Sequence, residues 1–447
     1  MRNLKCISRT RHTPASQLPC TASTWDTIND AIIYTLGPTI DSPIIELRRV
    51  EARSSGNSES TLLASWDAPC PLPDLDVDQI VNLQHLVSSE TTCLVLAGGD
   101  IVIVRSAPLP EQEKIEIVGS VDAGIAAAAW APDEDLLAIA TRADTLLYMT
   151  ATFDNIASAT FAAEDAKLSK QVSVGWGKRE TQFQGKRAKA LRDPTVPEHV
   201  DEGLPSPNDG GAVSISWRGD GAFVAVNTTQ PQARRMIRVY SREGVLDSVS
   251  EAVDGLEGGL AWKPSGQLIA GVRRHVDEKQ IVFFERNGLR HGEFSLRLDA
   301  RALDSWAANI SLAWNVDSSV LAVGFVDRIQ LWTMGNYHYY LKQEISLQRD
   351  TRDGCSASLH WHPEDAFRMA FQESLFTTPS SRTDPTVNGN DFDNNVSGPA
   401  IAVATVYFAW TLPDVPTAPP NDLGMMPVID GCTYSWFELM LSLSVIS

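Results

Sequence analysis

Cysteine is scarce in this chain of 447 residues, and the six present (Cys6, Cys20, Cys70, Cys93, Cys355 and Cys432) include no C-x-x-C pair. Neither a zinc site nor a disulfide framework is signalled, and the thiols read as free groups in a reducing compartment. Long apolar runs are missing too. The best candidates, residues 124–131 and 401–410, fall well short of the roughly 18 apolar residues a spanning helix needs, so no membrane partner is expected. Positive charge is also in deficit. Lys and Arg number 37 against 56 Asp and Glu, a net charge of −19 that repels phosphate at long range and argues against a whole-domain nucleic-acid clamp.

Reactive constellations are equally thin. Gly185-Lys186 does not complete a phosphate loop, because Glu180 stands where the first glycine should be and Arg187 where Ser or Thr should follow. His360-Trp361-His362 puts two imidazoles at alternate positions, which could begin a metal site, but His362-Pro363 occupies a place held elsewhere by Lys263-Pro264 and Ala131-Pro132. A turn role is the better reading. No catalytic, cofactor-binding or metal-ligating residues are therefore assigned, and neither a cofactor nor a small-molecule substrate is expected. A hydrolase or lyase with carboxylates converging on an axis is the competing enzymatic reading, since one-dimensional spacing does not reveal convergence.

What is present is a repeated sentence. In residues 211–244, Val213, Ile215 and Trp217 alternate with small and polar residues, a polar turn follows at Asp220-Gly221, and residues 223–226 are apolar on both faces. A third strand then ends near Tyr240. Looser copies end their first strand at Trp130, Trp262, Trp314 and Trp361, and from Trp217 onward the steps are 45, 52 and 47 residues. Units of this length with strand periodicity are propeller blades rather than helical solenoid repeats. The five tryptophans, at one place in each copy, are expected to fill the gaps between blades.

The resulting expectation is an all-β, seven-bladed WD40-like β-propeller over residues 1–412. Two weaker units precede the regular copies, with 62–66 placed in the second of them; the others run at 120–164, 211–255, 256–306, 307–351 and 355–412. Residues 1–6 read as strand and are expected to meet the C-terminal end of the ring, because an unclosed ring leaves exposed edges. Arg2, Lys5, Arg9 and Arg11 give the first 25 residues a faint likeness to a transit peptide without a secretory apolar core. Residues 413–447 read as an exit segment and an irregular tail, expected to touch the core little.

One local composition runs against the whole. Between Lys167 and Arg192 lie eight basic residues and a single acid, Glu180, within an insertion at 165–212 that is too polar to build a blade. Lys178, Arg179, Lys186, Arg187 and Lys189 are the candidate partner-binding residues. Both a solvated arm and a contact to an acidic protein or to RNA fit, and the net charge favours protein over RNA.

Residues 172–185, VSVGWGKRETQFQG, followed by ISWRGDG at 215–221, resemble the amino-terminal propeller of the largest, scaffolding subunit of the Elongator complex. MIRVYSREG, GLAWKPSGQLIAG and VFFERNGLRHGEF resemble the same family in the same order, and supporting matches extend over about 1–412. The resemblance implies a non-catalytic scaffold within the assembly that modifies the wobble uridine of transfer RNA. It implies other Elongator subunits as partners, tRNA contact that is weak or indirect, and a cytoplasmic location extending to the nucleus. Family members continue into a second propeller and a helical-repeat region, whereas residues 433–447 do not resemble the family. An adaptor of some other complex is the alternative within the binding class.

Overall fold

A computed structural model describes residues 2–12, 18–52, 60–170, 201–207, 209–229, 234–275, 278–298, 310–335, 337–347, 358–375 and 398–410. The described residues form seven four-stranded antiparallel sheets, arranged as the blades of a propeller. The first strand, β1 (Arg2–His12), belongs to the last blade. The first blade is β2 (Cys20–Asp26), β3 (Ala31–Leu36), β4 (Ile44–Glu51) and β5 (Thr61–Asp67). The second is β6 (Ile80–Leu86), β7 (Thr91–Leu96), β8 (Asp100–Arg105) and β9 (Ile115–Ser120), and the third is β10 (Ile125–Trp130), β11 (Leu136–Thr141), β12 (Thr145–Thr150) and β13 (Asn155–Thr160). The fourth holds β14 (Ser214–Trp217), β15 (Phe223–Thr228), β16 (Met236–Ser241) and β17 (Leu246–Val249). The fifth holds β18 (Leu256–Trp262), β19 (Leu268–His275), β20 (Glu278–Glu285) and β21 (Arg290–Ser295). The sixth holds β22 (Ser311–Trp314), β23 (Val320–Gly324), β24 (Arg328–Gly335) and β25 (His338–Ser346). The seventh is β26 (Leu359–Trp361), β27 (Arg368–Leu375), β28 (Gly398–Trp410) and, outermost, β1.

Ring closure follows the expectation, but the closing strand is longer than residues 1–6. It pairs with β28 from Arg2↔Trp410 to His12↔Ile401, with a bulge between Cys6 and Ser8. Two further boundaries are corrected. Residues 62–66 are the outer strand of the first blade, not the start of the second: their modest, part-exposed alternation suits an outer strand as well as an inner one. Beyond Gly244 a short fourth strand, β17, completes the blade whose first three strands were legible; Asp247 and Ser248 hide it from any apolar pattern.

Each apolar core lies between two blades rather than within one. Residues of the third and fourth blades share one cluster around Tyr148, Trp217 and Val226, and the seventh and first share another around Trp25, Tyr34 and Val403. This is why β3, β7, β11 and β23 are buried along their whole length: both faces of a middle strand meet a neighbouring sheet.

The tryptophans end the innermost strands at equivalent register. Trp130 lies opposite Leu137, Trp217 opposite Val224, Trp262 opposite Ile269, Trp314 opposite Leu321 and Trp361 opposite Met369. Trp25, opposite Ile32, is a sixth member that the spacing did not single out. Three of the indoles also bridge blades. Trp217 donates to the Ala129 carbonyl at 2.9 Å, Trp361 to Ala313 at 3.1 Å and Trp25 to His360 at 3.1 Å, in each case the residue before the preceding blade's tryptophan. In the second blade His85 takes the position, opposite Thr92, with its Nε2 3.7 Å from Asp26 of the first blade.

Polar contacts near the first turn of each blade continue around the ring. Glu134 accepts from the Val87 and Ser88 amides, Arg242 pairs with Asp133, Arg218 reaches Gln267, and the Ser265 amide donates to Ser318. Asn315 then donates to the Ala366 carbonyl and Arg368 pairs with Asp30, closing seventh blade to first. Gly221 takes the positive φ required by its turn, +67°, while Asp220 accepts from Arg218 and the Ala222 amide instead of sharing that conformation.

Candidate partner-binding site

In an up-and-down blade, the connections from second to third strand and from one blade to the next emerge on the same face of the ring. The two roots of the insertion, which leave β13 and return to β14, therefore lie on that face. Its departing root is a 3-10 helix, Ala163–Lys170. Asp165 of this helix pairs with Arg238 of β16 at 2.8 Å. The same guanidinium donates to the Ala162 carbonyl at 2.9 Å and to Thr228 Oγ1 at 2.6 Å, and lies 5.2 Å from the centre of the Phe161 ring. Arg238 is fully buried, and a charge taken out of water persists there only with such partners.

The returning root is held more widely. One oxygen of Asp254 accepts from the amides of Glu202, Gly203 and Leu204 at 2.9, 2.7 and 2.8 Å, and the Gly255 amide donates back to the Leu204 carbonyl. Gly203 has φ +85°, and a Cβ there would lie 2.6 Å from Arg234 Cδ, so glycine is required by both conformation and space. Asp201 pairs with Arg290 and Arg273, and Asp209 makes two hydrogen bonds of 2.7 Å with Arg235. Ser206 donates to Glu257, which also faces Lys279 at 3.2 Å and Arg274 at 3.3 Å. Burial lowers the pKa of Lys279, and the adjacent Glu257 opposes that shift.

The chain matches the model of the ELP1 first N-terminal β-propeller over residues 1–364. It is 41% identical to Elongator complex protein 1 of Schizosaccharomyces pombe over 92% of this chain and 30% of that protein. It is 36% identical to Elongator complex protein 1 of Saccharomyces cerevisiae over 94% of this chain and 30% of that protein, and 39% identical to the Mus musculus protein over 67% and 22%. The chain belongs to the ELP1 first-propeller family. It spans less than a third of the length of these relatives, and the family match runs from the closing strand through the first six blades to the first strand of the seventh.

Of the basic residues in the arm of this ELP1-type propeller, Lys167 lies exposed on the 3-10 helix. Lys178, Arg179, Lys186, Arg187 and Lys189 lie outside the described residues. What the structure adds is the pair of roots. Sequence reasoning missed Arg238, Arg235, Asp254 and Glu257, although one signal was available. Arg238 interrupts the otherwise apolar Ile237–Tyr240 run of a middle strand, and a charge in such a strand must be paired.

Of the His360-x-His362 pair, His362 adopts the turn role and His360 stays in β26. His360 Nε2 is 3.0 Å from Ser358 Oγ, whereas His362 has left the strand and its Nδ1 accepts the Glu364 and Asp365 amides at 3.1 and 3.0 Å. Among the described residues, no three His, Cys, Asp or Glu side chains are placed to hold a metal. Burial lowers the pKa of both imidazoles, His360 to about 4. Because the folded values lie below the unfolded one near 6.5, the stabilisation is complete above pH 6.5 and is lost as pH falls toward about 4. Thermal melts should decline across that window, with His360 contributing up to about 1.4 kcal/mol per pH unit and His362 adding in the same direction. A His360→Gln/His362→Asn variant should show a shallower acid limb, and an unchanged slope would remove these residues from the account.

Proposed function

We propose that this chain serves as a non-catalytic scaffold portion of an Elongator assembly, supporting tRNA wobble-uridine modification through contacts to other subunits in the cytoplasm and nucleus. The observation carrying this reading is the similarity to proteins named Elongator complex protein 1 across 92–94% of the chain in two yeasts. Asp165–Arg238 on one side and Asp254, Asp209–Arg235 and Asp201–Arg290 on the other hold the two roots of the insertion against the fourth and fifth blades, which supports a contact made beside them.

Changing Lys178, Arg179, Lys186, Arg187 and Lys189 together to Glu tests the site. Capture of the other Elongator subunits should fall at least tenfold while the melting temperature stays put. Capture by the unaltered chain should weaken with salt, as the Debye length shrinks from about 10 Å at 0.1 M to about 3 Å at 1 M. A parallel tRNA titration separates the two contacts: the reading expects the larger loss with protein. Unchanged binding in both assays would return the arm to a solvated loop.

A further inference from the structure

We propose that the outer edge of β1, over residues 8–12, accepts an extended acidic segment of a partner protein as an added strand. β1 is the end member of its sheet, and at 11 residues it is longer than every other outer strand, the next being β25 with 9. Its charge is also of one sign. Arg2, Lys5, Arg9 and Arg11 lie on it with no acid, whereas β21 carries Arg290 beside Glu293, β25 carries Lys342 beside Glu344, β9 carries Glu116, and β13 has no charge.

Proteins protect sheet edges with charges and bulges, and both occur here. That accounts for the presence of charge but not for its sign in a chain of net −19. The bulge leaves Ile7 61% exposed and divides the edge, so the uninterrupted stretch begins at Ser8. Arg9 and Arg11 are exposed and two residues apart, which puts them on one face of the strand about 6.6 Å apart along its axis. Arg9 is oriented from below: it donates to the Ser346 carbonyl of the sixth blade and its guanidinium lies 5.4 Å from the centre of the Phe371 ring. Partial burial and then repulsion from Arg11 weaken the hold of Arg9 on its proton, a cost that a carboxylate opposite would relieve.

An acidic peptide fits this site better than nucleic acid does. Carboxylates at alternate positions of an added strand would stand directly opposite Arg9 and Arg11, within the cross-strand distance at which unlike charges attract, while main-chain groups extend the ladder. A polynucleotide brings the charge without the ladder.

The test titrates the full chain with a labelled ten-residue peptide of alternating Glu and Val. Comparators are the Lys–Val counterpart, the Glu–Val peptide with alternate amides N-methylated, and a single-stranded oligonucleotide of equal charge. The Glu–Val peptide should bind at least tenfold more tightly than either altered peptide, and should slow amide exchange in β1. Arg9→Glu/Arg11→Glu should reverse the preference between Glu–Val and Lys–Val. Should that variant fail to fold, the N-methyl comparison on the unaltered chain still decides. Equal binding of the N-methylated peptide would overturn the proposal, as would binding of the oligonucleotide alone.

Discussion

A chain that begins at residue 13 should fail to form a stable ring. Its loss is local in sequence but not in space: β1 contributes the outer strand of the seventh blade and registers with β28 from residue 2 to residue 12. Leu4, only 3% exposed, packs in the cluster shared by the sixth and seventh blades, among Val320, Trp361 and Val406, and Cys6 packs against the same cluster. Losing a buried leucine costs about 2–5 kcal/mol. Roughly ten ladder hydrogen bonds, two for every other registered pair, at about 1 kcal/mol each add more again. The total rivals the roughly 5–15 kcal/mol that hold a whole domain together. β28 would also become an exposed apolar edge, able to pair with another copy. The expected result is a broad, low-temperature melt or aggregation, read by circular dichroism and sedimentation. Restoring residues 1–12 behind residue 410 through a flexible linker should recover the cooperative transition, because the strand needs its neighbour and not its place in the sequence. An undiminished melting temperature in the shortened chain would mean that closure contributes little.

Arg238→Ala is the point substitution expected to destabilise most. The guanidinium is fully buried and serves Asp165, the Ala162 carbonyl and Thr228 at once. Removing one partner of a buried ion pair typically costs about 3–5 kcal/mol, because the other partner is left with its desolvation uncompensated. Urea unfolding should register that loss, with amide exchange accelerating over residues 162–168. Asp165→Asn alone should also destabilise, and Arg238→Met/Asp165→Asn together should cost less than the sum of the single changes. Strict additivity would mean that the two side chains do not act as a pair. Binding through the arm should weaken in Arg238→Ala even if the propeller remains folded, since the departing root would no longer hold its position.

The architecture was readable because a propeller writes its core into local sequence many times. Trp130, Trp217, Trp262, Trp314 and Trp361 recur at blade spacing, and the run at 223–226 is apolar on both faces because a sheet lies on each side of it. Outer strands escape this logic. β17 is short and broken by Asp247 and Ser248, and Leu62, Leu63, Ala64 and Trp66 of β5 read equally well as an inner strand, which is why one went unseen and the other was placed in the wrong blade. His85 hid for a related reason. It fills a tryptophan's position with an imidazole that burial keeps toward its neutral form, 3.7 Å from Asp26, so chemistry differs where geometry repeats.

By itself the sequence determined the fold class, the closure of the ring near its two ends, the family and the unusual charge of the arm. Fold class and charge rest on what a residue carries with its immediate neighbours, alternation, turn chemistry and composition; closure was expected because an open ring leaves exposed edges, and the family rests on the resemblance of the strings at 172–185 and 215–221. Tertiary structure alone decided which distant charges meet. Asp165 lies 73 positions from Arg238 and Asp201 lies 89 from Arg290, so nothing local in either segment encodes the pairing. It also decided that the closing strand runs on past residue 6 to His12, which puts Arg9 and Arg11 on the outer edge of the last blade. A strand's partner is selected by the closure of the whole ring, and that is a property no window of the sequence contains.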